Sequence, residues 1–167
     1  MMGISVSEYY KQFVADNSPC CQSVFFHEKG EQKISVEPWR DPETEEEKTY
    51  KGEAVQKVRI LDVEYQLPNN AFVKQVPNKK YYRLIEHTDT MIKFATINKQ
   101  KGVPYCETFG VDEMFIIAGP DKPNAQCCVV ITGYIVNWYK STMMKKVITS
   151  QITSENKVGN ERYRAWM

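Results

Sequence analysis

The sharpest hydrophobic pattern lies in the last third of the chain. Cys127 to Trp138 is dominated by β-branched and aromatic residues, with no charge before Lys140, and this predicts a strand. After Ser141 the period changes. Met144, Val147, Ile148, Ile152, Val158, Tyr163 and Trp166 recur at helical spacing, while Lys145, Lys146, Glu155, Asn156, Lys157, Asn160 and Glu161 fall mostly elsewhere. The pattern predicts an amphipathic helix from Ser141 to about Trp166, roughly 39 Å long at about 1.5 Å per residue. A stripe of that length needs a sheet to lie across.

The upstream segments supply one. Ser7 is placed to cap a helix through about Ala15, with Tyr9, Tyr10, Phe13 and Val14 on its apolar side. Asn17-Ser18-Pro19 ends it, and a second short helix with Phe25 and Phe26 inward stops at Gly30. Lys33 to Glu37 alternates as a short strand closed by Pro38-Trp39, and the glutamate-rich stretch Asp41 to Lys48 predicts a solvated loop. Val55 to Leu67 predicts a strand. Its apolar parity slips between Val58/Ile60 and Leu61/Val63/Tyr65/Leu67, the sign of a β-bulge. Leu67 to Lys80 predicts a long loop bounded by Pro68 and Pro77, yet it carries Phe72, Val73 and Val76; loops of that length are uncommon and often functional. Strands at Tyr81–Glu86, Met91–Asn98 and Thr108–Ile117, joined by hairpin-sized turns, imply an antiparallel meander.

Two short helices, about six antiparallel strands and a long C-terminal helix make an α+β chain. A twisted sheet of that size curls, and an amphipathic helix can close its concave side, which is the helix-grip arrangement. One helix does not fill such a concavity, so the fold tends to enclose an apolar pocket. Tyr65, Tyr82, Phe94, Phe109, Phe115 and Tyr134 fit either a pocket lining or a solid core.

The totals narrow the function. With 167 residues, 42% hydrophobic and 26% charged, the chain has the size and composition of one domain, taken as residues 1–167 with a core from about 18 to 166. A net charge of +1 leaves no nucleic-acid footprint. The charge is uneven, −5 over residues 1–48 and +6 over 49–167, which fits ordinary surface variation or a basic face that meets anionic headgroups. No apolar run approaches the roughly 20 residues of a membrane span, and the N-terminus lacks the apolar core of a signal peptide. Adjacent cysteines at Cys20-Cys21 and Cys127-Cys128 are poor chelators and poor disulfide partners, so reduced thiols in a cytosolic setting are expected, with no metal and no cofactor. Lys145-Lys146 opens the predicted helix as a solvated start. Lysines there are not helped by the macrodipole, which hints at an external anion.

Several segments match a known pattern in order and spacing. Ile34-Ser35-Val36-Glu37-Pro38-Trp39, the strand from Val58 to Tyr65 with a proline-bounded loop ending Pro77-Asn78-Lys79, and Val103-Pro104-Tyr105 followed by Phe109 stand in sequence. A final strand and a helix with a basic start close the set. Together they resemble VASt domains, the StART-like modules of the Lam and Aster sterol transporters, over about Ser18 to Trp166. The chain departs from that family at Val76, where a glycine usually precedes the proline. It also lacks the GRAM domain and transmembrane helix of full-length relatives, as an excised domain or a stand-alone member would.

The resemblance implies a carrier with no bond chemistry, binding a sterol or similar lipid in an internal cavity and moving it between membranes. Its expected cavity residues are Tyr65, Tyr82, Phe94, Tyr105, Phe109, Phe115, Tyr134, Val147, Ile148 and Ile152. Its expected lid is Leu67, Pro68, Phe72, Val73, Pro77 and Lys79, with Lys74, Lys79 and Lys80 meeting anionic headgroups. A monomer, cytoplasmic and peripheral at membranes or contact sites, is the expected setting. Two rivals remain. A helix-grip enzyme would have to use His27 or His87, neither of which has a recognisable nucleophile motif, or inward carboxylates from among Asp62, Glu64 and Glu86. A protein-interaction module with a filled core would account for the apolar residues on both faces of the final strand.

Overall fold

Alternation and β-branching produce eight strands in the computed structural model, which describes residues 2–66, 74–120, 122 and 125–167. In chain order the strands are β1 (Gln32–Val36), β2 (Thr49–Tyr50), β3 (Glu53–Ala54), β4 (Lys57–Gln66), β5 (Gln75–His87), β6 (Met91–Gln100), β7 (Phe109–Ala118) and β8 (Val129–Trp138). The helices are α1 (Val6–Tyr9), which runs into a π-helical turn over Tyr10–Val14, α2 (Gln22–Glu28), α3 (Glu45–Lys48) and α4 (Lys145–Trp166). Six strands form one antiparallel sheet in the order β1-β4-β5-β6-β7-β8, and β2–β3 is a separate hairpin. This is an α+β arrangement with short N-terminal helices and a long C-terminal helix, as the helix-grip reading expects.

The two faces of the sheet bury different partners. The inner face packs Leu61, Val63, Tyr82, Leu84, Ile92, Phe94, Phe115 and Ile117 against Val6, Tyr9, Phe13, Phe25 and Phe26 of the N-terminal helices. Packing therefore begins before Ser18. The outer face carries a smaller cluster, in which Tyr50 and Val55 of the hairpin region cover Val58, Ile85 and Ala95. Tyr50 Oη donates to Asp112 Oδ2 at 3.0 Å, and Lys93 pairs with Glu53, so the hairpin is fastened as well as packed. Lys51 and Gly52 turn it at φ 50 and 86, the left-handed pair a tight hairpin needs.

The helix α4 is held at one end. Tyr163 meets Phe25 and Phe115 edge-on at 5.3 and 6.3 Å and stacks on Trp166 at 5.7 Å. Its hydroxyl lies 3.4 Å from that of Tyr9, and Trp166 Nε1 donates to Glu28 Oε2 at 2.8 Å. Towards its N-terminus α4 is tethered more lightly. Tyr134 Oη donates to Thr153 Oγ1 at 2.9 Å, and Lys145 Nζ lies 5.3 Å from the Trp138 ring centroid.

Four sequence expectations shift. The register of β4 on β5 is unbroken from Lys57↔Leu84 to Gln66↔Gln75, so β4 has no bulge; both its parities are apolar because both faces are covered. Register shifts occur instead in β1, between Gln32 and Ser35, where Lys33 takes φ 49, and in β5 against β6, between Leu84 and Glu86. The stretch Asp41–Lys48 is not all loop. Thr44 and Glu47 form a capping box for α3, and Arg40 holds the Glu47 carboxyl down at about 2. The expected loop to Lys80 ends early, because β5 starts at Gln75. Pro77 fits there because ladder pairing with β6 begins only at Asn78↔Gln100; its carbonyl accepts from Lys101 N at 3.1 Å, and the N–H it lacks falls beyond the end of that ladder. Finally, α4 opens at Lys145, after Met144 N–H has bonded Thr142 Oγ1.

Anchoring at one end has a measurable consequence. Tyr163→Ala is expected to cost about 3 kcal/mol, in the range of aromatic truncation in a core. Val147→Ala, at a position 56% exposed, is expected to cost under about 0.5 kcal/mol. Urea unfolding of the two variants checks both values.

Candidate functional site

Strand register sorts the inner face into rows, because residues opposite one another in adjacent strands point the same way. At the closed end lie Ile92, Ile117 and Val130, then Leu84, Phe94, Phe115 and Thr132. The third row is Arg59, Tyr82, Thr96, Glu113 and Tyr134, and the fourth is Leu61, Lys80, Asn98, Val111 and Val136. Beyond them come Asn78, then the Phe109–Trp138 pair at 5.5 Å, and Tyr65 opposite Val76. The floor is apolar and sealed at one end, polar across its middle, and half-buried at the other. Asn98, Val111, Val136 and Trp138 in that open part are only partly covered, as are Ile148 and Ile152 on the α4 stripe that continues to Tyr163.

The polar belt is built around a buried ion pair. Lys80 Nζ lies 2.9 Å from Glu113 Oε2, which also accepts from Thr96 Oγ1 at 2.8 Å. The Phe26 ring lies 5.5 Å from the ammonium. Burial alone would raise the Glu113 carboxyl, but the Lys80 charge and the two hydrogen bonds outweigh it and hold the group below its ordinary value. Burial would lower Lys80, and Glu113 reverses that too, so the ammonium is held above its ordinary value. Asn78 Nδ2 reaches Tyr65 Oη and Asn98 Oδ1 at 3.4 Å each. Three buried atoms on this face, Tyr82 Oη, Asn78 Oδ1 and Arg59 Nε, make no hydrogen bond to protein. Burial pushes the phenols of Tyr82 and Tyr65 up, so both stay neutral.

Of the residues expected to line a cavity, Tyr65, Tyr82, Phe94, Phe109, Phe115 and Tyr134 all fall on the inner face. Tyr82, Phe94 and Phe115 are buried in the aromatic core, with Phe94 stacked on Phe115 at 4.7 Å. Ile148 and Ile152 are half-buried on the α4 stripe that continues to Tyr163. Val147 instead borders an open groove of about 560 Å³ with Lys146, Ser150, Gln151, Ser154 and Glu155. Tyr105 lies off the sheet, in the β6–β7 turn, 43% exposed.

The lid residues Leu67, Pro68, Phe72 and Val73 lie outside the described residues. Pro77 and Lys79 belong to β5 on the outer face, where Lys79 pairs with Asp62 at 3.2 Å. Neither Lys79 nor Lys80 is thus a loop cation facing headgroups. The buried pair was readable in outline, since Lys80 shares its parity with Tyr82 and Leu84, and Glu113 shares its parity with Phe115 and Ile117.

Groups that an enzyme would use lie apart. His87 stacks on Tyr10 at 3.8 Å, and burial pushes its imidazole below its ordinary value. Glu64 and Asp62 lie on the outer face, Glu64 pairing with Lys33 at 2.8 Å. All five cysteines are free thiols. Among the described residues no helix is long and apolar enough to cross a membrane.

Glu113→Gln and Lys80→Met each leave one buried charge without its partner and are expected to cost about 3 kcal/mol or more. The Glu113 contribution carries a pH signature. A carboxyl depressed on folding stabilises fully above its unfolded value of about 4.3 and loses that stabilisation as pH falls through the folded value. The gap in urea stability between wild type and Glu113→Gln is therefore expected to narrow as pH drops below about 4. A constant gap would contradict the assignment.

No curated protein matches the chain. One family model does, that of VASt, described as the VAD1 Analog of StAR-related lipid transfer domain, and the match runs over residues 1–155. It takes in the N-terminal helices, the whole sheet, the polar belt and the first half of α4. With that span matched and this helix-and-sheet arrangement beneath it, the chain belongs to the VASt family of StART-like lipid-binding domains.

Proposed function

We propose that this domain binds a sterol or closely similar lipid between α4 and the inner face of the sheet and carries it between membranes without bond chemistry. The observation that carries the reading is the one-ended anchoring of α4. Its last turn is locked into the aromatic core, while Ile148 and Ile152 and the floor residues Val111, Val136 and Trp138 stay only partly covered. Apolar surface on both sides of an incompletely filled space is what a rigid apolar ligand needs. A ligand that buries roughly 400 Å² of apolar surface gains on the order of 10 kcal/mol at about 25 cal/mol per Å², before association costs.

The polar belt suits a ligand with one small polar end. The Lys80–Glu113 pair is charge-balanced, and the neighbouring Arg59 is already engaged by Val14 O and the rings of Trp39 and Tyr82. Tyr82 Oη and Asn78 Oδ1 are a donor-acceptor and an acceptor with hydrogen-bonding capacity to spare, which a single hydroxyl can use. The segment around Phe72, between β4 and β5, is taken as the lid, and the protein as a peripheral visitor to cytoplasmic membrane faces. A protein-interaction role has its own support in Ile131 and Ile135, 54% and 50% exposed on the outer face of the edge strand β8.

Transfer of a fluorescent sterol between donor and acceptor liposomes tests the reading. The wild type is expected to accelerate transfer, and Phe72→Asp to abolish the acceleration. Ile152→Asp is expected to weaken sterol binding by about ten-fold or more, the scale of losing one buried aliphatic contact. A folded wild type that neither binds nor moves the sterol would sink the proposal and leave the interaction role.

A further inference from the structure

We propose that the turn from β8 into α4, joined to the β6–β7 turn, is a preformed docking platform for an anionic lipid bilayer. The proposal rests on the lipid-carrier reading only in making this the end at which a ligand leaves. Register places both turns beside the open end of the inner face, since Phe109 pairs with Trp138 and Asn78 with Gln100.

The two turns are one piece. Thr108 is buried between them. Its N–H and Oγ1 both donate to Tyr105 O, at 2.9 and 2.7 Å, and its own carbonyl accepts from Tyr139 N at 2.8 Å and Lys140 N at 3.2 Å. Tyr105 is thereby held at φ 66, a conformation rare for a tyrosine, with its side chain at the surface. Tyr139 is seated by Gly110, where an added Cβ would come within 2.3 Å of its hydroxyl oxygen.

What the platform presents is unusual for a monomer surface. Tyr139 is 63% exposed, Met143 fully exposed, and Met144 and Val147 are exposed beside it. Scattered apolar residues need no explanation, but four within one turn and the start of a helix form a patch. Lys101, Lys140 and Lys146 lie in the same two turns and helix start, all exposed and, among the described residues, without a carboxylate partner, while Lys145 rests on Trp138. The one acid in these two turns is Glu107. Lys145 and Lys146 also sit at the positive end of the α4 dipole, which disfavours cations unless an anion lies outside. An aromatic, flexible thioethers and several unpaired lysines in two linked turns match the interface of a bilayer, where apolar tips enter and ammonium groups meet phosphates and carboxylates. Lys79 and Lys80 of β5 are already paired, Lys79 with Asp62 on the outer face and Lys80 with Glu113 inside the fold.

Vesicle flotation with phosphatidylcholine, with and without phosphatidylserine, tests the platform on the whole chain. Wild type is expected to float with the phosphatidylserine vesicles and to be released by salt. Met143→Asp is expected to lower partitioning about ten-fold or more. The pair Lys140→Ala and Lys146→Ala should lower it about 25-fold, at about five-fold per lysine. All three side chains are exposed and make no contact that the fold needs, so both variants should unfold like wild type and bind fluorescent sterol equally in vesicle-free solution. Variants that float like wild type would overturn the proposal, as would a wild type that ignores vesicles, which would assign the patch to a protein partner. Loss with the lysine pair but not with Met143→Asp would overturn insertion. Flotation as expected from a protein that binds no sterol would leave the platform standing and remove the carrier reading instead.

Discussion

The aromatic knot of Tyr9, Phe25, Phe115, Tyr163 and Trp166 is the contact on which the other features depend. It fixes the far end of a helix about 33 Å long, at about 1.5 Å per residue, while two lighter contacts, Tyr134 to Thr153 and Lys145 to Trp138, guide the near end. A helix locked along its whole length would fill the inner face. One held at its end leaves Ile148, Ile152, Val111 and Val136 only partly covered, and the proposed lipid site lies there. The same asymmetry gives the molecule a sealed end, plugged by the N-terminal helices, and an open one.

Electrostatics follows the same axis. Inside the fold Lys80 is matched with Glu113 in the middle of the floor, and the buried Arg59 is held by Val14 O and the rings of Trp39 and Tyr82. In the two turns at the open end, Lys101, Lys140 and Lys146 have no carboxylate partner among the described residues. Breaking a buried pair is costly, so the belt is fixed in place, as the proposed ligand contact requires. Unmatched surface lysines cost little and act at long range, which suits reversible contact with a membrane. A carrier needs both properties, a rigid interior and a weakly held exterior.

Much of this was legible in the residues. The run from Val129 to Trp138 and the stripe through Ile148, Ile152, Tyr163 and Trp166 give the final strand and helix directly, and parity places Tyr65, Tyr82, Phe94 and Phe115 inward. Parity does not say what covers an inward face, so whether those rings line a pocket or meet Tyr9, Phe13 and Phe25 required the tertiary packing. Pro77 disguised the start of β5, because a proline ends most strands but is tolerated where the next strand has not begun to pair. That misplacement made Lys79 and Lys80 look like loop cations. The hairpin at Thr49–Ala54 is too short for any periodicity to show, and its positive-φ Lys51 is not a residue that announces a turn.

The central claim is that a lipid occupies the space between α4 and the open half of the inner face. Photo-crosslinking with a diazirine-bearing sterol, followed by mapping of the modified peptides by mass spectrometry, addresses it most directly. The account predicts adducts on Val111, Val136 and Ile148 or Ile152, competed away by unlabelled sterol. Adducts confined to the outer face of β8 around Ile131 and Ile135, or labelling that unlabelled sterol does not displace, would contradict it.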